Sequence, residues 1–132
     1  MNRRFFAAVA AILLAVAIPA SAIATPASSP FAGRWTSTDT DGSSQLLVVS
    51  GGASPSVVYQ DFYASGCDNH GGPATHWVGA GQGDIEGDTL VVEFHKSGCG
   101  NFLQGGYEDW YAYDAGADTL VDGFGIEWSR SN

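Results

Sequence analysis

The sequence predicts an all-β domain, in which eight antiparallel strands form an up-and-down meander that closes into a small barrel. Short runs of β-branched and aromatic residues alternate with clusters of Gly, Asp, Asn and Ser, a pattern typical of sandwiches and barrels. No long stretch after residue 30 shows helical periodicity. Sequential strands with short turns favour a meander, and closure removes the exposed edges of the sheet. A β-sandwich is the alternative.

The first three strands are predicted at residues 33–38, 44–50 and 57–63. Asp41-Gly42 is a hairpin signal between the first two strands. Residues 51–55 contain two Gly, a Ser and a Pro, and these residue types favour the turn that leads into the third strand.

The other five strands are predicted at residues 75–82, 89–95, 107–113, 119–122 and 125–130. Turns rich in Gly and Asp separate most of them. Glycines alternate along the fourth strand, which permits strong bending or close packing of a large neighbour. In the fifth strand, Leu90, Val92 and Phe94 occupy alternate positions, and we expect this set to face the interior.

Residues 1–24 are predicted to be a secretory signal peptide. Arg3 and Arg4 supply the positive start, residues 5–18 the apolar segment, and residues 20–22 the small side chains that signal peptidase requires. A membrane anchor is disfavoured, because a spanning helix needs about 20 apolar residues. We expect a flexible leader at residues 25–30 and one barrel domain at residues 31–132. The mature protein is expected to be secreted or extracytoplasmic, without stable membrane insertion.

The charge balance of the mature chain is strongly acidic. Arg34, Lys96 and Arg130 are the fixed cations that remain after signal removal, against 14 Asp and Glu residues. Such a surface repels nucleic acid and anionic membranes, so neither is expected as a partner. The scarcity of Lys and Arg also excludes phosphate-binding loops. Ligands are expected to be neutral or cationic.

Cys67 and Cys99 are the only cysteines, and an even pair in an exported chain predicts one disulfide bond. Free thiols or metal ligands are the alternative. In an up-and-down course the odd-numbered loops share one end of the barrel. Cys67 falls in loop three, residues 64–74, and Cys99 in loop five, residues 96–106. The meander therefore brings both cysteines to the same end.

The two ends of the predicted domain carry a recognisable pair of residues. Gly33-Arg34-Trp35 opens the first strand, and Arg130 closes the last. This resembles the calycin arrangement of lipocalins and avidins, in which a Gly-x-Trp packs its indole against a basic residue and closes the base of the barrel. The resemblance implies a contact between Trp35 and Arg130, worth about 1–2 kcal/mol as a cation–π interaction.

The chain departs from both of these groups. It is shorter than typical lipocalins and lacks their C-terminal helix, and it differs from avidins in having a disulfide and no recognisable biotin-site pattern. Residues 33–43, 83–90 and 118–122 resemble small exported bacterial proteins of an uncharacterised family. That likeness implies one compact module and no activity.

The histidines offer a candidate metal site. If the fourth and fifth strands pair through the turn at residues 86–88, His76 and His95 become neighbours at the disulfide end, where Asp68 can join them. Two imidazoles and a carboxylate can bind zinc or copper. No short His-x-x-x-His spacing is present. Solvated loop histidines are the favoured interpretation, and no cofactor is predicted.

Carboxylates interrupt two otherwise apolar strands, at Asp61 and at Glu108-Asp109. Of the adjacent pair, one side chain must face inward and the other outward. A carboxylate inside a barrel needs a partner and can orient a polar ligand. Outward exposure is the favoured interpretation of these residues. No Gly-x-Ser-x-Gly motif is present, and no catalytic residue is predicted.

The leading hypothesis is therefore a non-enzymatic barrel that binds a small molecule or another protein at its disulfide-tied end. Residues expected to line or flank the mouth are Tyr63, Trp77, Phe102 and Tyr107. One alternative is a metal-dependent extracytoplasmic hydrolase or isomerase that uses Asp68, His76 and His95. Another is a structural or inhibitory module with a solid core. A void of several hundred cubic ångströms is typical of ligand pockets and distinguishes binding from a solid core.

Overall fold

The computed structural model describes residues 28–67, 76–100 and 102–132. Eight antiparallel strands follow one another in chain order and close into a barrel. The strands are β1 (Gly33–Thr38), β2 (Ser44–Val49), β3 (Ser56–Phe62), β4 (His76–Glu86), β5 (Thr89–Cys99), β6 (Phe102–Asp114), β7 (Thr119–Asp122) and β8 (Glu127–Ser131). The predicted meander is confirmed, and the alternative sandwich is wrong. The predicted signal peptide lies outside the described residues.

Closure depends on β1, which pairs with β2 on one side and with β8 on the other. Trp35 stands opposite Leu47 in the first pairing and opposite Arg130 in the second. Each described strand therefore has two neighbours, and the ladder leaves no unpaired strand edge in this part of the chain. None of the described residues forms a helix long and apolar enough to cross a membrane.

The solid part of the interior lies toward one end of the barrel, here called the closed end, where β1 begins and β8 ends. Alternate residues of the strands point inward, so apolar side chains from opposite walls meet. The predicted inward set of β5 is buried there. The buried cluster consists of Phe31, Trp35, Leu47, Val49, Val57, Leu90, Val92, Phe94, Tyr111, Leu120 and Trp128.

The opposite end, here called the open end, carries the connections that follow β1, β3, β5 and β7. There β5 extends to Cys99 and β6 begins at Phe102. The sequence had predicted a loop over residues 96–106, and that prediction is wrong. The strands continue because the ladder tolerates irregularities, with register shifts between Phe94 and Ser97 and between Ser97 and Gly98.

Glycines make these irregularities possible. A Cβ atom at Gly81 would lie 2.1 Å from the backbone oxygen of Glu93, at the register shift between β4 and β5. A Cβ atom at Gly106 would lie 2.3 Å from the backbone oxygen of Phe94. Neither position can accept a side chain without backbone movement. The glycines therefore allow a close approach that bends the three longest strands.

Cys67 and Cys99 form a disulfide bond, as predicted, with Cα atoms 5.5 Å apart. Cys67 ends a short 3-10 helix, Ser65–Cys67, that follows β3. Cys99 stands opposite Trp77 in the pairing of β5 with β4. The bond ties the connection after β3 to the wall of the open end, and Ala64 and Trp77 pack against it.

Candidate functional site

At the closed end, Arg130 joins the first strand to the last. Its guanidinium carbon lies 4.1 Å from the centroid of the Trp35 ring, in the arrangement that the calycin resemblance implies. Nη1 donates to the carbonyl oxygen of Ala32 at 2.8 Å, and Nη2 donates to that of Pro30 at 2.7 Å. Nε donates to Asp118 at 2.8 Å. These contacts close the base of the barrel around a stacked cation.

At the open end lies a cavity of about 850 Å³. Its walls are inward-facing residues of β2 to β7, and its rim comes from the connections after β1, β3 and β7. The polar and aromatic side chains that the strands contribute to its lining are Gln45, Tyr59, Asp61, Trp77, Ser97, Tyr107, Asp109 and Asp122. The cavity is therefore mixed in character, with aromatic surfaces beside carboxylates and amides.

Two of the aromatic walls rest on the solid core. Tyr107 stacks on Phe94, with ring centroids 4.8 Å apart. Tyr59 meets Phe94 and Trp128 edge to face, with centroids 6.3 and 6.0 Å away. Rings held by such contacts have few alternative rotamers. The aromatic surface of the cavity is thus ordered before any ligand arrives.

A chain of hydrogen bonds runs around one wall and ends on Asp61. Ser37 Oγ donates to Gln45 Oε1, and Gln45 Nε2 donates to Tyr59 Oη at 2.9 Å. Tyr59 Oη then donates to Asp61 Oδ2 across a long 3.4 Å. Each member lines or adjoins the cavity. The chain fixes the orientation of the Gln45 amide and of the Tyr59 hydroxyl.

Asp61 itself is deeply buried, with 4% of its surface exposed. Its Oδ1 atom has no hydrogen-bond partner among the described residues. In the sheet it stands between Gln45 of β2 and Trp77 of β4, and all three line the cavity. Asp61 therefore belongs to the wall of the cavity, but its Oδ1 atom is buried within that wall and does not face the open space.

Two further carboxylates lie on the other side. Asp109 is 6% exposed, and its Oδ1 accepts from the backbone nitrogens of Trp110 at 2.8 Å and Gly123 at 3.1 Å. Asp122 accepts from the backbone nitrogens of Phe124 and Ile126 and, at 3.0 Å, from the indole nitrogen of Trp128. The second carboxylate organises the turn between β7 and β8, and the first attaches that turn to β6.

Burial raises the pKa of Asp61, and the Ser43 hydroxyl opposes this effect by hydrogen bonding. The nearby charges of Asp39 and Asp41 raise the pKa further. Burial also raises the pKa of Asp109, with a further contribution from Asp122. Of the described residues that line the cavity, five are aspartates and none is Lys or Arg. The electrostatic potential inside is therefore negative.

The tyrosines of the cavity are neutral. Burial raises the pKa of Tyr59 and of Tyr107 well above the usual value, and the neighbouring charges of Asp61 and Asp109, respectively, raise it further. Both hydroxyls therefore keep their protons at physiological pH.

The residues predicted to line the mouth have different positions. Trp77 and Tyr107 line the cavity. Tyr63 directly follows β3 with 78% of its surface exposed and a backbone φ of 65°, and it does not line the cavity. Phe102 begins β6, but its side chain lies outside the described part of the chain. The role of all four in binding stays a prediction.

The structure does not bring His76 and His95 together. His95 lies in the irregular segment opposite Ala80 and Gly81, whereas His76 begins β4, roughly 13 Å further along the strand at about 3.3 Å per residue. The ring of His76 stacks against that of Phe62. Nδ1 of His95 lies 3.7 Å from Oε1 of Glu93.

No group of three His, Cys, Asp or Glu residues suited to a metal ion occurs in the described ranges. Asp68, the third predicted ligand, lies outside them. The metal site stays a prediction that the strand register does not favour.

The favoured outward orientation of Asp61 is wrong, since Asp61 is buried. Of the adjacent pair Glu108 and Asp109, Asp109 is the one that faces inward. Asp61 shares its phase in β3 with the buried Val57, and Asp109 shares its phase in β6 with the buried Tyr111. Glu108 faces outward, as the alternation requires. Both inward carboxylates can be identified by this alternation with buried residues. The prediction of outward exposure gave more weight to the polarity of Asp than to its position in the alternation.

Gln45, Tyr59 and Asp122 were not predicted as site residues. Gln45 could have been found by the same phase, because it alternates with the buried Leu47 and Val49 in β2.

Comparisons with protein-family models, with curated proteins and with solved structures find no match. The interpretation of the site therefore rests on its own geometry.

Proposed function

We propose that this protein is an exported, non-enzymatic barrel that binds a small molecule in the cavity at its disulfide-tied end. The observation that supports the proposal is the cavity of about 850 Å³, since ligand sites typically measure about 300–1,000 Å³. A solid structural module would require side chains in this space. The cavity therefore favours binding over that alternative.

The construction of the walls also favours binding. The rings of Tyr59 and Tyr107 rest on the core, and the Gln45 amide is held at both ends by hydrogen bonds. Ordered walls reduce the conformational entropy that the protein loses when a ligand binds. A few oriented polar groups among aromatic surfaces are typical of small-molecule sites.

Export is supported by two features. The N-terminal segment has the charge, apolar length and small residues of a signal peptide. The disulfide between Cys67 and Cys99 is of a kind that persists in oxidising compartments.

A matched pair of glycine substitutions tests the cavity. Gly105 lines it, and a Cβ atom there has nothing within 4 Å. Gly51 has the same freedom, but it follows β2 at the closed end. Gly105→Trp should obstruct the cavity, and Gly51→Trp should leave it open.

The measurement is native mass spectrometry of the secreted wild type and both variants, purified without denaturation. We expect a co-purified small molecule on the wild type and on Gly51→Trp, and its loss from Gly105→Trp. The same bound mass on all three proteins would contradict binding in the cavity, as would a wild type that carries none.

A further inference from the structure

We propose that the protein associates with further copies of itself through two different faces of the outer wall of the barrel, one apolar and cationic, the other apolar and acidic. This inference concerns the outer wall and is independent of the cavity. It depends on the residue types that face outward, on the separation of their charges and on like charges that stand side by side in a single copy.

The first observation is an apolar outer surface on β2, β3 and β4. The solvated face of an antiparallel sheet carries polar side chains at its outward positions. Here Leu46 and Val48 alternate with the buried Leu47 and Val49, so β2 is apolar on both faces. Val48 stands opposite Val58 of β3, which is 40% exposed. Exposed apolar surface that continues across strands is typical of an interaction site.

The second observation is that cations flank this surface on both sides. One row of outward residues crosses five strands, in the order Arg34, Val48, Val58, Ala80 and Lys96. At about 4.8 Å between strands, the two cations stand roughly 19 Å apart along the wall. Both are exposed, and neither forms an ion pair with a carboxylate of the described residues. The members of this cationic face are Arg34, Leu46, Val48, Val58, Val78 and Lys96.

The third observation is a second apolar surface, on β5, β6 and β7, which is bordered by carboxylates. Trp110 is 45% exposed and stands opposite Val91. Further along β6, Ala112 stands opposite Val121. At the border of this surface two exposed carboxylates stand directly opposite each other. The members of this acidic face are Val91, Glu93, Glu108, Trp110, Ala112 and Val121.

The paired carboxylates of the acidic face are unfavourable in a single copy. Glu93 and Glu108 are direct partners in the ladder, and like charges in that position destabilise an antiparallel pair. Nδ1 of His95 lies 3.7 Å from Oε1 of Glu93. Within the described ranges no Lys or Arg forms an ion pair with either carboxylate. A cation from a second copy relieves this repulsion.

Charge determines which faces meet. Contact between two cationic faces, or between two acidic faces, brings like charges together. Contact between unlike faces pairs opposite charges around two apolar surfaces, which is the arrangement of complementary interfaces. The chain is acidic overall, with a formal net charge of -9. Physiological salt screens exposed charges that are more than about 8 Å apart, so contacts within an interface are retained. Unlike faces give head-to-tail assembly into rings or chains.

Sedimentation velocity of the purified wild type is the first test. Small interfaces give transient association, so at physiological salt we expect the weight-average sedimentation coefficient to rise between about 10 µM and 1 mM. A protein that stays monomeric throughout this range would overturn the proposal. This test needs no variant.

Two variants each disable one face. Val58→Glu places a carboxylate in the centre of the cationic face, and Trp110→Lys places an ammonium group in the acidic face. Each variant alone should be monomeric at concentrations where the wild type associates. An equimolar mixture should form a 1:1 dimer that does not grow, because each variant retains the face that the other has lost. A variant that associates alone like the wild type, or a mixture that stays monomeric, would contradict contact between unlike faces.

Ser54→Glu and Ser54→Lys are the matched controls. They add the same charges at an exposed position between β2 and β3, outside both faces, and both should associate like the wild type. Loss of association in these controls would indicate a general effect of charge and overturn the assignment of the faces. Circular dichroism establishes that each variant is folded. If Trp110→Lys does not fold, Glu108→Lys replaces it, since Glu108 is exposed on the same face.

Discussion

At the scale of the single residue, Asp61 is a carboxylate buried in the wall of the cavity. It stands between Gln45 and Trp77, and its Oδ1 atom is shielded from solvent. Removing a charged carboxylate from water costs free energy. Asp61 should therefore destabilise the free protein.

This cost predicts a pH dependence. The pKa of Asp61 is raised by burial, so its contribution to stability is greatest below the unfolded value of about 3.9. That contribution falls as the pH rises from about 4 toward the folded pKa, because the unfolded state releases its proton first. Asp61→Asn should flatten this decline and increase the free energy of unfolding at pH 7 by about 1–3 kcal/mol.

Urea unfolding measures this effect over about pH 3 to 8, a range that includes the usual pKa of an Asp side chain. The proteins compared are the wild type, Asp61→Asn and the control Asp84→Asn, whose carboxylate is exposed on β4. The control should keep the wild-type slope. A loss of stability in Asp61→Asn at pH 7 with an unchanged pH profile would show that the carboxylate stabilises the free protein.

At the scale of the structural element, β4, β5 and β6 form the irregular wall on which the cavity depends. Their register shifts occur where glycine permits one backbone to approach another. The bends move the parts of these strands nearest the open end away from regular pairing. Glycine is therefore required within these strands, at the register shifts, as well as in the turns between strands.

Gly81→Ala should lower the free energy of unfolding by about 1–3 kcal/mol, as expected for overpacking. The added Cβ would lie 2.1 Å from a backbone oxygen, which cannot move as a flexible side chain can. Gly105→Ala is the control, because its Cβ meets nothing within 4 Å. Equal unfolding free energies for the two variants in urea would contradict this account of the register shift.

The disulfide acts at the same scale, by joining the connection after β3 to β5. Cys67 and Cys99 are 32 residues apart, and loop closure of that length predicts a loss of about 3–4 kcal/mol for the Cys67→Ser/Cys99→Ser variant. Hydrogen exchange should increase mainly at the open end, near Trp77, and less near Trp35. Equal increases at both ends would contradict a local role for the bond.

At the scale of the whole molecule, the two ends of the barrel differ in how they are filled. The closed end is filled by Phe31, Trp35 and Trp128 and is sealed by Arg130. The open end has the cavity and the disulfide. A barrel with one solid end can support an empty one, because the core supplies the burial that stabilises the sheet.

Because Arg130 closes the base of the barrel, we expect Arg130→Lys to lower the free energy of unfolding by about 1–3 kcal/mol. Lysine cannot stack a planar head group on Trp35 and at the same time bond three residues. Arg34→Lys is the matched control, because Arg34 is exposed on β1. Thermal unfolding measures both variants. A control that loses as much stability as Arg130→Lys would indicate a general effect of the lost guanidinium.

The number and order of the strands followed from the sequence. Turn signals such as Asp41-Gly42 and alternation such as that of Leu90, Val92 and Phe94 act over a few residues. The bounds of β1 and β7 agree with their predictions, and those of β2, β3 and β8 differ by one or two residues at their ends. Local chemistry determines such features.

The site was predictable only in outline. Shared loop ends identified the region and the disulfide, and aromatic content identified Trp77 and Tyr107 as candidates. The orientation of Asp61 was predicted wrongly, because an unpaired charge is expected to face water. The alternation required one of Glu108 and Asp109 to face inward but did not identify which. The separation of His76 from His95 follows from the hairpin register of β4 and β5, which sets His95 beside Ala80 and Gly81, four or five residues from His76.

The sequence by itself determined the eight-strand meander, the pair of cysteines and the acidic charge, all of which arise from local patterning or from composition. The tertiary structure decided that the open end contains a cavity and that carboxylates line it. Those features depend on how walls distant in the chain pack, where glycine bends a strand and which side chain remains unpaired. No local pattern specifies such distances, because they are set only when the barrel closes.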